Sequence, residues 1–142
     1  RLAVEAGMRR GEIALVHVQR DLFRDLTGWS LVVHGKGGKV RVLPLPASLA
    51  MAILARGESF AFPGAVDGHL SARRVGELAQ TLLPEPWTLH TLRHRFATDK
   101  HGVDRDIEVV RRLLGHASVS TTQRYVQTDD DDLRRTMEAV SV

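Results

Sequence analysis

The feature that most constrains the fold is one glycine-rich turn between two short runs of β-forming residues. The turn reads Gly35-Lys36-Gly37-Gly38, and the runs cover residues 30–34 and 39–43. Runs of this kind on either side of a glycine-rich turn are a strong signal for a β-hairpin. The sequence therefore predicts one small antiparallel hairpin or sheet.

The remainder of the chain shows mainly helical patterns. Apolar residues recur at helical spacing in residues 71–83 and again in residues 104–114, with Pro84 and Gly115 marking the ends. Other predicted helices are the segment before Gly7, residues 10–18, 47–56 and 91–101, a short helix around Tyr125 and a final helix after Asp131. Residues 57–70 are predicted to form a loop. The predicted fold class is mainly α with a small antiparallel β-hairpin or sheet, an α+β arrangement.

Composition excludes several classes of protein. The length of 142 residues suits one domain with its own core, and the chain has no cysteine for disulfides or thiolate zinc sites. No apolar run approaches the roughly 18 residues of a membrane span, and there is no secretory signal. We therefore expect a cytoplasmic protein with no membrane partner.

The net charge of +3 hides an uneven distribution. Residues 128–142 carry a net charge of −3 and the preceding residues carry +6. Of the 20 basic residues 17 are arginines, whose planar guanidinium can bind phosphate through two hydrogen bonds. A basic body with an acidic tail favours a nucleic-acid partner, although many basic proteins bind no nucleic acid.

The second half of the chain contains three short motifs in order. They are His90-Thr91-Leu92-Arg93, Leu113-Leu114-Gly115-His116, and Tyr125, the only tyrosine, nine residues beyond His116. Tyrosine can be a covalent nucleophile, but its phenol has a pKa of about 10 and is a weak nucleophile unless its proton is removed. For an isolated tyrosine a structural role is the simpler interpretation, so the neighbouring motifs must decide.

Two further motifs lie upstream, Ala6-Gly7-Met8-Arg9-Arg10-Gly11-Glu12 and Gly35-Lys36-Gly37-Gly38-Lys39-Val40-Arg41. Together with the downstream motifs they resemble the tyrosine recombinase (phage integrase) family, over nearly the whole chain. The resemblance implies that family's catalytic-domain fold. It also implies site-specific DNA recombination or integration, in which strands are cut and rejoined through a 3′-phosphotyrosyl link without metal or other cofactor.

The resemblance implies six catalytic residues, which are Arg9, Lys36, His90, Arg93, His116 and Tyr125. Tyr125 would attack the scissile phosphate and release a 5′-hydroxyl. Arg9 and Arg93 would bind the non-bridging oxygens, where charge accumulates in the transition state. Because two guanidiniums supply this positive charge, we expect no metal ion.

The other three residues would move protons or hold the phosphate. Lys36 would protonate the departing 5′-oxygen, since an alkoxide is a poor leaving group. His90 would assist proton transfer at the nucleophile, and His116 would donate a hydrogen bond to the phosphate. Glu12 is expected to orient Arg9 or to form an ion pair within the fold.

Further DNA contacts are predicted at Lys39 and Arg41 beside the hairpin, and at Arg73 and Arg74 at a helix start. Basic side chains at a helix N-terminus are well placed to meet phosphates or enter a major groove. A solvated charged surface is the alternative interpretation.

We predict a single catalytic domain over residues 1–142, with a catalytic body at 1–127 and a helical tail at 128–142. The fold would be N-terminally truncated, because the family's core-binding domain is absent from this sequence. The expected partners are double-stranded DNA, near the nucleoid, and other protomers bound to DNA through the C-terminal helix. Without DNA we expect a monomer.

Two other functions use similar residues. A type IB topoisomerase-like enzyme shares the tyrosine, arginines and lysine, but the Leu-Leu-Gly-His motif and the interval to Tyr125 favour a recombinase. A non-catalytic DNA-binding module of the same fold would have no reason to keep all six positions. A helix-turn-helix regulator would leave Tyr125, Arg9 and Lys36 unexplained.

Overall fold

The computed structural model describes residues 1–104, 107–115 and 137–138. In this part of the chain the helices are α1 (Leu2–Glu5), α2 (Arg10–Ala14), α3 (Val18–Asp21), α4 (Ala47–Leu54), α5 (Ala72–Leu82), α6 (Leu89–Asp104) and α7 (Ile107–Leu114). The strands are β1 (Leu22–Asp25), β2 (Gly28–His34), β3 (Val40–Leu45) and the short β4 (Pro63–Val66). The predicted class, mainly helical with a small antiparallel sheet, is confirmed.

The sheet is antiparallel, with strand order β1-β2-β3. Its predicted hairpin pairs His34 with Val40 and Leu31 with Leu43 across a 3-10 turn, Lys36–Gly38. Gly37 has a φ of 73°, a left-handed conformation that glycine adopts without steric cost. The turn therefore projects Lys36 from the end of the sheet.

Strand β1 was not predicted. Its turn into β2 is held by Asp25, whose carboxylate accepts hydrogen bonds from the backbone N–H groups of Thr27 and Gly28. Leu22 of β1 then pairs with Leu31 of β2, so the buried side of the hairpin is extended by one strand.

The prediction of one helix over residues 10–18 was wrong. The helix ends at Ala14 with Leu15 as its C-cap, and the backbone is extended at His17, where it pairs with Phe60 of a distant segment. The Val16 carbonyl accepts a hydrogen bond from the Ala61 N–H, and the Val18 N–H donates to the Ser59 carbonyl. Residues 57–70, predicted as a loop, accordingly contain pairing backbone and the strand β4.

One hydrophobic core joins the inner face of the sheet to the helices. Its largest fully buried side chains include Phe96 from α6, Met8 from the turn after α1, and Leu31 from β2. Helix α6 packs against α1 and α7, and α5 packs against α2. These contacts bring the residues just after α1, the start of α2 and the end of α7 to one place. None of the helices in the described part of the chain combines the length and apolar character that a membrane crossing requires.

The tail meets its own domain at Met137, which is buried. The Met137 carbonyl accepts a 2.9 Å hydrogen bond from the ammonium of Lys100 in α6, a side chain only 1% exposed. Burial lowers the pKa of Lys100 to about 8, although the carboxylate of Asp99 acts in the opposite direction. The charged form of Lys100 is therefore held at a cost in free energy.

We predict that replacing Lys100 with methionine changes how stability depends on pH. The pKa of Lys100 is about 8 in the folded protein and about 10.5 in the unfolded chain. Between these values the unfolded state binds more protons, so raising the pH stabilises the wild type, by up to about 3 kcal/mol. Urea unfolding of wild type and Lys100→Met from pH 7 to 11 measures this difference. Parallel curves would contradict the prediction.

Candidate active site

The centre of the candidate site is a buried carboxylate, that of Glu12 in α2. Glu12 is 4% exposed, and its Oε2 accepts a 2.8 Å hydrogen bond from the backbone N–H of Arg9, which caps the start of the helix. Its Oε1 accepts from the Nη1 atoms of Arg9 at 3.0 Å and Arg41 at 2.8 Å. Arg93 lies slightly farther away, with Nη1 3.9 Å from Oε2. Three guanidiniums therefore surround one carboxylate.

The pKa of Glu12 is lowered from its ordinary value. Burial alone would raise it, but the hydrogen bonds from Arg41 and from the backbone and side chain of Arg9 outweigh burial. Glu12 is therefore ionised at neutral pH and serves as a fixed acceptor for the arginines. This is the orienting role expected for it from the sequence.

Arg93, on α6, is held by backbone carbonyls. Arg93 is 8% exposed. Its Nη1 donates to the Gly7 carbonyl, and its Nη2 donates to the Leu114 carbonyl at 2.8 Å. Burial and, next, the charge of Arg9 lower the pKa of Arg93 to about 10. The guanidinium remains protonated at neutral pH, but an anion placed beside it would relieve the unfavourable environment.

Arg9 meets Arg93 at the same carbonyl. Its Nη1 donates to Leu114 O at 3.2 Å, while its side chain is 44% exposed. The shared contact places both guanidiniums at the C-terminal end of α7. Arg9 thus combines a fixed position with access to solvent.

An open cavity of about 640 Å³, here called the first cavity, lies in front of this pair. Four of the six predicted catalytic residues line it, namely Arg9, Lys36, His90 and Arg93. A second cavity of about 510 Å³ shares Arg9 and Lys36 with the first. The fold therefore brings together residues that are more than 80 positions apart in the sequence.

Lys36 reaches the first cavity from the exposed hairpin turn, whose ends are joined by a 2.7 Å hydrogen bond from Gly35 N to Lys39 O. The base of the turn is anchored by His34, which also lines the cavity. Its Nε2 lies 2.9 Å from Oδ1 of the buried Asp21. No sequence motif indicated this contact. Asp21 is the last residue of α3 and His34 the last residue of β2, and the strand β1 that lies between them in the chain was not predicted.

Two of the predicted catalytic residues, His116 and Tyr125, lie outside the described residues. The chain can be followed to Gly115, which has a φ of 61° and ends α7 directly before His116. Of the predicted tail, residues 128–136 and 139–142 also lie outside the described part.

The four predicted DNA contacts occupy three different environments. Lys39 is exposed and lines the second cavity. Arg73 and Arg74 are exposed at the start of α5, where both pair with Glu77, and they line neither cavity. Arg41 borders the second cavity, but its side chain is only 15% exposed, and its guanidinium donates to Glu12 and to the Leu113 carbonyl.

Sequence reasoning missed Arg111 and Arg112, which line the second cavity from the last turn of α7. Arg111 also pairs with Glu108 at 2.7 Å. Their position just before the Leu-Leu-Gly-His motif could have indicated them, because that motif places the end of α7 at the site.

A model of the phage integrase family matches residues 1–132. The tyrosine recombinase XerC of Brucella suis biovar 1 (strain 1330) is 36% identical over 128 residues, which cover 80% of this chain and 40% of the relative. The tyrosine recombinase XerC of Pseudomonas entomophila (strain L48) is 35% identical over 146 residues, covering 90% of this chain and 46% of the relative. The chain thus spans less than half the length of these curated relatives.

Solved structures match as well. The integrase from mycobacterium phage Brujita has a TM-score of 0.76 and 25% sequence identity, covering 99% of this chain and 49% of its own. The XerH site-specific recombinase, solved with its difH substrate in a pre-cleavage complex, has a TM-score of 0.63 and 25% identity. That match covers 83% of this chain and 39% of the recombinase.

We predict that Gly7→Ala destabilises the protein and loosens Arg93. Gly7 has a φ of 60°, and an added Cβ would lie 2.5 Å from the ring of the buried Phe96. The strained backbone and the overpacked core together should cost about 2–4 kcal/mol. Gly37→Ala is the matched control, because Gly37 also has a positive φ but nothing lies within 4 Å of the added Cβ. Chemical denaturation measures both variants, and equal losses would refute the packing argument.

Proposed function

The chain belongs to the phage integrase family, and from that membership we propose that it is the catalytic domain of a site-specific recombinase or integrase. In this proposal it cuts and rejoins double-stranded DNA through a 3′-phosphotyrosyl link to Tyr125. The observation that carries the proposal is the convergence of Arg9 and Arg93 on the Leu114 carbonyl, beside the cavity that Lys36 and His90 also line.

The charge balance of the cluster supports a phosphate as its ligand. Arg9, Arg41 and Arg93 contribute three positive charges against the single carboxylate of Glu12, so an anion is favoured. Arg9 and Arg93 would donate to the non-bridging oxygens of the scissile phosphate. Because both are fixed by carbonyls before DNA arrives, little reorganisation is needed as charge accumulates in the transition state.

The proton transfers are assigned to the remaining residues. The phenol of Tyr125 would bond to phosphorus while the bond to the 5′-oxygen breaks, and Lys36 would donate a proton to that oxygen. His90 would assist removal of the phenolic proton, and His116 would donate a hydrogen bond to the phosphate. The phosphotyrosyl bond keeps the free energy of the broken phosphodiester, so a 5′-hydroxyl from another strand can reverse the attack.

The second cavity would take up phosphates next to the cleavage position. Lys39, Arg111 and Arg112 line it, and contacts of this type set affinity and orientation rather than sequence preference. The XerH relative was solved bound to its difH substrate before and after cleavage, which supports DNA as the partner of a chain with this fold.

The tail would serve assembly. In the single chain Met137 is buried against Lys100. When protomers assemble on DNA, the helix that carries Met137 would instead contact a neighbouring protomer.

A type IB topoisomerase-like activity is less well supported, because the matched relatives are recombinases and integrases.

We predict that wild-type protein forms a covalent adduct with a nicked suicide duplex and that Tyr125→Phe does not. The nick lets the short strand beyond the cleavage point dissociate, so the phosphotyrosyl link is trapped. Denaturing electrophoresis detects the adduct. Without the nick the 5′-hydroxyl stays in place, rejoining competes, and less adduct should accumulate. An adduct in the Phe variant would exclude Tyr125 as the nucleophile.

We also predict that Arg73→Gln with Arg74→Gln weakens duplex binding and reduces its salt dependence. If each guanidinium neutralises one phosphate, the slope of log K against log salt falls by about 2. Arg1→Gln is the matched control, since Arg1 also forms a helical i,i+4 pair, with Glu5, and lines neither cavity. Fluorescence anisotropy over a salt series measures the slope. An unchanged slope in the double variant would remove both residues from the interface.

A further inference from the structure

Arg41 is half-buried, whereas the other arginines outside the six predicted catalytic residues are exposed in the described part of the chain. It lies on β3, just after the hairpin turn, and donates hydrogen bonds to both carboxylate oxygens of Glu12, at 2.8 Å from Nη1 and 3.0 Å from Nη2. Its Nε donates to the Leu113 carbonyl at 3.0 Å. Three of its five N–H donors are therefore used inside the fold.

The same carboxylate and the neighbouring carbonyl also accept hydrogen bonds from the two arginines proposed to bind phosphate. Glu12 accepts from the backbone and the side chain of Arg9. Leu113 is adjacent to Leu114, whose carbonyl accepts from Arg9 and Arg93. Arg41 thus fixes both the carboxylate and the stretch of backbone on which the other guanidiniums depend.

The glycine of the Leu-Leu-Gly-His motif packs directly on Arg41. A Cβ at Gly115 would lie 2.7 Å from Nη1 of Arg41 and 3.0 Å from its Cδ. The φ of 61° at Gly115 also disfavours any side chain. The end of α7 at Gly115 therefore lies directly against this guanidinium.

Arg41 also balances the charge of Glu12. Without Arg41 the buried carboxylate would act on Arg9 and Arg93 alone and draw them away from an anion. With Arg41 in place, those two guanidiniums keep charge available for a phosphate.

We propose that Arg41 is a positioning residue for strand cleavage, which sets the orientation of Arg9 and the position of the end of α7 without binding DNA itself. The inference rests on the proposed function. It assigns Arg41 a role distinct from that of Lys39, which lies two residues earlier on the exposed turn.

The test is a double-mutant cycle in single-turnover adduct formation with the suicide duplex. At saturating protein, Arg41→Ala should slow cleavage about 100-fold, the scale of a misplaced catalytic group, while duplex affinity changes by less than about threefold. In an Arg9→Ala background the same change should cost about tenfold at most, because the part of the effect that acts through Arg9 is already lost and only the effect on the end of α7 remains. Arg41→Lys keeps the charge but cannot span both oxygens, and should be intermediate.

The control is Arg56→Ala. Arg56 also donates its Nε to a backbone carbonyl, that of Ala61, but lines neither cavity. The Arg56→Ala substitution should leave the cleavage rate within about twofold of the wild-type rate, which separates positioning from general destabilisation. Additive losses in the cycle, or a loss confined to duplex affinity, would overturn the inference.

A second measurement is independent of cleavage. The side-chain ¹H–¹⁵N resonances of Arg9 and Arg93 should shift in Arg41→Ala and stay in place in Arg56→Ala. Unchanged resonances would overturn the positioning role even if the wild type cleaves. Absence of an adduct in the wild type, with shifted resonances, would instead count against the proposed function.

Discussion

The carboxylate of Glu12 is the constraint on which the arrangement of the site depends. A buried carboxylate is costly unless it is paired and hydrogen-bonded, and Glu12 has a partner from another element besides the local cap at Arg9. Arg9 approaches from the start of α2 and Arg41 from β3. Docking of the sheet against the helices therefore completes the pairing of Glu12, and a displaced hairpin would leave its carboxylate without the two hydrogen bonds from Arg41.

The positive charge of the cluster exceeds the charge of Glu12, and this excess would suit an anionic ligand. One carboxylate cannot neutralise three guanidiniums, and the lowered pKa of Arg93 reflects its burial and the repulsion from Arg9. A fold selected for stability alone would have little reason to keep this excess of like charge. A phosphate placed in the first cavity would offset this excess, so the same charge imbalance would favour the scissile phosphate of the proposed reaction.

Sequence motifs predicted which residues meet, but not how they are held. The hairpin and α5 follow from local glycine and apolar patterns, and the meeting of Arg9 with Arg93 followed from the family resemblance. The backbone pairing at Val16 was not predictable, because its partner Ala61 is remote in sequence. The same holds for Arg41, whose acceptor at Leu113 is 72 residues away, so that a local pattern showed only a basic residue beside a turn.

The way the arginines are held explains why their charge remains available. Apart from Glu12, their acceptors are backbone carbonyls at Gly7, Leu113 and Leu114. The last carbonyls of a helix have no partner within it, and they carry the negative end of the helix dipole. Carbonyls orient a guanidinium without cancelling its unit charge, whereas further carboxylates would neutralise the site. The positive φ of Gly115 fits this use of the backbone, because it ends α7 where the Leu113 and Leu114 carbonyls are left for the arginines.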